Sequence, residues 1–227
     1  MNVIGERSSY AAALGISSSD TAAMRLQAET CETVQEIINI AATAEAFAVT
    51  ALGGALASAE EGNLALSMEA VGTLTAARAA EQAHYDYLIN AGAEPLTLTF
   101  TVPDEAIITD VGTFLTTLVS LEEAFIAAYL AAAQVFVIRG EARLAQVALQ
   151  IGSIEAEHRA GARFFAIQAG VLSGTPNDVA FEKALFSSVG EAAATLEDLG
   201  FIGGSGTEIT YPGPGEIDFS GVTNLQP

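Results

Sequence analysis

Both histidines of the chain stand in Glu-x-x-His tetrads, Glu81-Gln-Ala-His84 and Glu155-Ala-Glu-His158. Residues three apart on a helix leave from the same face, so each tetrad can offer a carboxylate oxygen and an imidazole nitrogen to one metal ion. Two such tetrads, completed by one inward glutamate from each of two further helices, make the carboxylate-bridged dimetal site of a four-helix bundle. The rest of the sequence must then supply two more long helices, each with a glutamate on an apolar face.

The hydrophobic pattern supplies them. Residues 1–19 read as an N-terminal arm, and Ser17-Ser18-Ser19-Asp20 as a helix start. From 21 to 57, Val34, Ile37, Ile38, Ala41, Ala48, Val49 and Leu52 recur at helical steps, with a break foreseen near Glu29-Thr30. A second helix is expected from 64 to 91, ending at Ala91-Gly92. Residues 94–103, Glu-Pro-Leu-Thr-Leu-Thr-Phe-Thr-Val-Pro, alternate apolar and polar between two prolines and read as extended chain. Ten extended residues reach about 30 Å, the length of a helix of about 20 residues. Such a connector can run back along a bundle and restart the chain parallel to the helix it has left. A third helix is expected from Asp104 to Arg139 and a fourth from Glu141 to Ala169, with the turn at Gly140. The first hairpin is echoed in the second, down to Glu45-Ala46-Phe47 against Glu123-Ala124-Phe125. The domain organisation expected is an arm at 1–19, an all-α four-helix bundle at 20–172, and a C-terminal part at 173–227. That last part is read as one or two short helices from Asn177-Asp178, then a Gly- and Pro-rich tail that drapes over the bundle or stays mobile.

On the first helix only Glu45 has apolar or small neighbours at every helical step; Glu36 faces Glu32, Asn39 and Thr43 and belongs to a wet face. The third helix offers Glu122 and Glu123: apolar neighbours favour Glu122, and the internal echo favours Glu123. The candidate ligands are therefore Glu45, Glu81, His84, Glu122, Glu155 and His158. Four carboxylates balance two divalent ions, whereas four bare carboxylates in an apolar bundle would take up protons or cost heavily. An oxygen-rich set with two imidazoles suits iron or manganese, with zinc able to enter the same site in a preparation. Tyr85 and Tyr129 are read as aromatic core that could lie near the site, and Glu157 and Arg159 as a solvated face.

Charge narrows the partners. A net charge of −20, from one lysine, seven arginines and 28 acids, repels phosphate backbones and anionic membrane surfaces. Nucleic acid and membrane are excluded as expected partners. Cys31 is the only cysteine, which rules out an internal disulfide or thiolate zinc site. No stretch reads as a membrane span, and Met1-Asn-Val-Ile-Gly-Glu-Arg7 lacks an export signal. The expectation is a soluble, cytoplasmic protein, or an exported one if a leader precedes it. A homodimer is the default for an Ala-rich bundle.

The chain resembles the ferritin-like superfamily, in the branch that includes the plant desiccation-related proteins and their bacterial relatives. The resemblance rests on Glu81-Gln-Ala-His84-Tyr-Asp-Tyr-Leu88, on Leu121-Glu122-Glu123 through Ala128-Tyr129-Leu130, on Glu155-Ala-Glu-His158, and on Pro176-Asn-Asp-Val-Ala-Phe-Glu182. It covers about residues 35–200. In that branch the third helix usually reads Leu-Glu-Asp, which implies Glu122 as the ligand. The first helix there usually carries several glutamates close together, whereas Glu45 stands alone. The resemblance implies a dimetal protein but does not choose among ferroxidases, peroxidases, manganese catalases and oxygenases. The leading expectation is an oxidase or peroxidase acting on O₂ or peroxide in stress protection. The alternatives are a non-catalytic desiccation-protective or metal-sequestering bundle and, ranked last because the C-terminal extension would obstruct packing, a storage cage.

Overall fold

The computed structural model of the protein describes residues 32–227. The foreseen arm, the Ser17–Asp20 helix start, the break near Glu29 and Cys31 all lie outside that range. The described chain is mostly helical. Four long helices, α1 (Val34–Glu60), α2 (Met68–Asn90), α4 (Val111–Arg139) and α5 (Ala142–Gln168), accompany a short α3 (Ala106–Thr109) and α6 (Val189–Asp198). Two short strands, β1 (Thr99–Val102) and β2 (Thr207–Thr210), form an antiparallel pair in which Phe100 faces Ile209.

Local chemistry sets the helix ends. Thr33 and Glu36 form a reciprocal capping box at the start of α1. Ser67 caps α2 by accepting from the Ala70 N–H, and Asp110 caps α4 by accepting from the Thr113 N–H. That Asp110 cap breaks the expected third helix: Asp110 is extended (φ −115°, ψ 118°), so α3 ends before it and α4 starts after it. Gly140 takes the left-handed conformation (φ 81°) that closes α4 before α5 turns back along it.

The connector after α2 travels along α1. Gln35 donates to the Gly92 carbonyl, Asn39 Oδ1 accepts from the Glu94 N–H, and Thr43 Oγ1 accepts from the Leu96 N–H. Farther on, Phe100 stacks edge-on against Phe47 (5.4 Å), and the Ser58 hydroxyl donates to the Ile108 carbonyl. Contacts stepping from Gln35 to Ser58 carry the chain to the far end of α1, so α4 starts there and runs parallel to α2.

The C-terminal part departs from expectation. No helix starts at Asn177-Asp178; residues 173–188 are irregular, and α6 begins only at Val189. The irregular run is tied to α5 instead, by a two-pronged Arg159–Glu182 ion pair (2.5 and 2.8 Å) and by Arg163 on Asp178 (2.8 Å). Arg159, expected on a wet face, is buried; Glu157 is exposed. The Glu32 carboxylate accepts the Val189 and Gly190 N–H groups, tying the α6 N-terminus to the start of α1. The tail is not loose as far as Tyr211. Beyond the β pair, Thr101 donates to the Phe201 carbonyl, Tyr211 donates to the Leu98 carbonyl, and Phe201 packs on Phe47 at 5.0 Å.

Two apolar clusters result. One gathers Ile37, Ala42, Phe47, Leu88, Phe100, Phe125 and Phe136; the other gathers Leu52, Leu64, Leu74, Leu115 and Phe165. Along α2 and α5 the tetrads fall between the two clusters, whereas Glu45 and Glu122 sit within the span of the first. By length and composition α1 and α4 would be apolar enough to cross a membrane, but most of each apolar window is buried inside the protein.

Candidate metal centre

Each long helix turns one acidic group into the interior. Glu45 (α1), Glu81 (α2), Glu122 (α4) and Glu155 (α5) are all at most 3% exposed. Glu45 stands as far from the start of α1 as Glu122 does from the start of α4, and the same holds for Glu81 in α2 and Glu155 in α5. The site thus repeats by hairpin, but with Glu45 matching Glu122. The Glu-Ala-Phe echo is out of register by one residue. Glu123 points elsewhere: half-exposed, it faces Lys183 at 3.6 Å.

The two tetrads share their glutamates. His84 Nδ1 lies 3.3 Å from Glu81 Oε2 and 3.4 Å from Glu155 Oε1. His158 Nδ1 lies 2.8 Å from Glu81 Oε1 and 3.3 Å from Glu155 Oε2. Each of these carboxylates therefore turns one oxygen to each imidazole. Glu45 joins only the His84 side, at 3.4 Å. Two overlapping groups result: Glu45, Glu81, His84 and Glu155, then Glu81, Glu122, Glu155 and His158, with the ligand atoms of each within 4.8 Å of one another. All six candidate residues come together in these groups, and such buried Glu/His groups could hold a metal ion.

The fit to a cation rests on unmet polar atoms. Glu81 Oε1, Glu122 Oε2, both oxygens of Glu155 and His158 Nδ1 are buried without a well-formed hydrogen bond. Buried polar atoms are normally paired, and several acceptor oxygens facing one point need a positive partner. Protons are the substitute. Burial pushes the Glu45 and Glu122 carboxyls well above the ordinary carboxylate range. Burial opposes charge on both histidines, yet the facing carboxylates, Glu45 foremost at His84 and Glu81 at His158, raise both well above the ordinary value. Glu81 goes the other way: burial would raise it, but the His158 charge and hydrogen bonds from both histidines hold it low.

The two halves are not equivalent. Tyr129 donates its hydroxyl to Glu45 Oε1 in a short hydrogen bond. Burial, then the Glu45 charge, raises that phenol far above its ordinary range, so it stays a donor. Tyr129 lies two helical turns beyond Glu122, and the same step beyond Glu45 reaches Leu52, which cannot donate. Leu52 and Glu122 line the same cavities, and Glu122 Oε2 keeps no partner. Tyr85, the other tyrosine flagged from sequence, packs on Tyr211 (4.8 Å).

Sequence reasoning missed Gln82, which is fully buried inside the first tetrad and is held by the Tyr211 hydroxyl (2.8 Å) and Asp86 (2.8 Å). Asp86 is a local partner, but the partner of the Gln82 carbonyl oxygen, Tyr211, arrives from the tail. A groove of about 960 Å³ between α2 and α5 reaches His84, Glu122 and His158, and residues 221–227 lie along it. Compared with known protein families, curated proteins and solved structures, the chain matches none.

Proposed function

We propose that the chain is a ferritin-like four-helix bundle holding two divalent ions, iron or manganese, in a carboxylate-bridged centre that acts on O₂ or peroxide. The observation that carries this reading is the sharing of Glu81 and Glu155 between His84 and His158, with the remaining acceptors buried and unmet. The donor set, four carboxylates and two imidazoles, suits iron or manganese. When bound, such a pair of ions supplies two-electron exchange with O₂ or peroxide.

The chain's own residues do the rest. Glu81 and Glu155 span both positions and would set the spacing. Glu45 and His84 would complete one position, Glu122 and His158 the other. The apolar clusters on either side keep the centre dry, which strengthens every charge interaction within it. Tyr129 donates to Glu45, while Glu122 Oε2 has no such donor. The groove between α2 and α5 gives a small oxidant its approach to the histidines, and its lining by residues 76, 77, 80, 83, 161 and 162, all Ala or Gly, keeps that approach open. Protection against oxidative stress is the role this chemistry serves best, in a homodimer or a single chain.

A second reading, sequestration of metal without turnover, is favoured by one observation: residues 221–227 lie along the groove that reaches both histidines. Elemental analysis of freshly purified protein tests the centre, with about two iron or manganese ions per chain expected. Zinc alone would point to adventitious filling, and metal-free protein that cannot be reloaded would sink the reading. Turnover of peroxide or O₂ by loaded protein, lost in His84→Ala and His158→Ala, separates catalysis from sequestration.

A further inference from the structure

Glu45 has a second neighbour besides the metal groups. Behind it, away from the histidine groove, lies a cavity of about 220 Å³ bounded by α1, α4, α6 and the connector at Leu96-Thr97. Its walls are almost wholly apolar, and its room comes from alanines on three facing helices: Ala41 and Ala44, Ala128 and Ala132, Ala192 and Ala193. Its polar lining residues are Glu45 and Tyr129, already bonded to each other, together with Thr43, Thr97 and Glu197. The Thr43 hydroxyl on its edge is used up, donating to the Asn39 carbonyl and accepting from Leu96 N–H.

A water needs two to four polar partners to be held, and nearly all of the surface of this space is apolar. Apolar cavities of that kind stay dry, and one of about 150 Å³ is enough to take up benzene. A space of this size in a well-packed interior is also expensive, because core voids forfeit contacts on every wall. Bulkier residues at any of the six alanine positions would have filled it. No lysine, arginine or histidine lines the cavity to attract an anion.

We propose that this cavity is a binding site for a small neutral apolar organic molecule, one ring or a short alkyl chain, seated against Glu45 and Tyr129. The site shares no lining residue with the groove on the histidine side. The two would admit different molecules to the same centre: a small oxidant past the histidines, and an apolar molecule past Glu45. Occupancy follows from the cavity alone, whether or not the centre holds metal, so its failure and that of the dimetal reading are separable.

The test is a titration of the full chain with fluorobenzene followed by ¹⁹F NMR, run on metal-loaded and chelator-treated protein. Saturable binding at one site is expected, with no competition from fluorobenzoate. Ala128→Phe, which fills the cavity from α4, should weaken binding at least about tenfold while metal per chain is unchanged. Ala193→Phe fills it from α6, outside the four long helices, and gives the same readout if the α4 variant does not fold. No saturable binding to folded protein would overturn the proposal, as would fluorobenzoate binding equally well, or both filled variants binding as tightly as the parent.

Discussion

Glu122 and Glu123 are chemically identical neighbours that the fold sends to opposite fates. One is buried among the tetrads and the other is paired with Lys183 near solvent. The helix turns by about 100° per residue, so one position of offset is enough. If the proposed centre is correct, Glu122→Gln should lower metal per chain from about two towards one, and Glu123→Gln should leave it unchanged. Equal metal content in the two variants would remove Glu122 from the ligand set. Tyr129 makes a different residue-scale prediction. In chelator-treated protein, Tyr129→Phe deletes the donor to a buried carboxylate and should cost about 1–3 kcal/mol in urea unfolding. A cost indistinguishable from zero would mean that Glu45 does not depend on the phenol. The buried glutamates were legible in the sequence because burial follows from helical neighbours. The sharing of Glu81 and Glu155 was not, because it depends on how two hairpins face each other. Nor was the role of Tyr129, since a tyrosine on an apolar face looks the same whether its hydroxyl meets a carboxylate or water.

At the scale of elements, the long helices were readable for one reason: apolar periodicity, with Gly or a capping side chain at the ends, is local information. Gly140 and the end of α2 fall close to where the pattern put them. The connector was readable too, because two prolines and strict alternation leave extended chain as the main option. What local information could not give is its partner. The strand at Thr99–Val102 exists as a strand because residues 207–210, over a hundred positions later, pair with it. The same absence of local signal explains the misplaced helix at 177. That stretch has a plausible start, yet Arg159 and Arg163 on α5 draw Glu182 and Asp178 down onto the surface as irregular chain. The connector is anchored by Phe100, which is 1% exposed and sits against Phe47. Phe100→Ala should therefore cost about 3–5 kcal/mol, the range for emptying a buried aromatic site. A loss under about 1 kcal/mol in urea unfolding would show that the connector is not packed as described.

For the whole molecule, a proposed dimetal centre, once stripped, must find another source of positive charge for its buried carboxylates. With a net charge of −20, the surface offers little help, and protons are the remaining counter-charge. Glu45 and Glu122 are raised from an ordinary 4.5, and His84 and His158 from an ordinary 6.5. A group raised on folding stabilises the protein fully below its unfolded value and loses that stabilisation as pH climbs through its folded value. The two carboxyls begin to lose theirs above about pH 4.5 and the two imidazoles above about pH 6.5. Glu81, held low, acts in the opposite sense: its contribution is present above 4.5 and disappears only as pH falls through its lowered value. Stripped protein should then melt at a lower temperature at about pH 8.5 than at about pH 6. Metal competes with protons for the same groups, so loading should release protons and bind more tightly as pH rises. The gap in melting temperature between loaded and stripped protein should consequently widen from pH 6 to pH 8.5, and His84→Ala should shrink it at both. If the gap is the same at the two pH values, the protons held by the stripped centre are not the ones that metal displaces, and the shared-carboxylate centre is wrong.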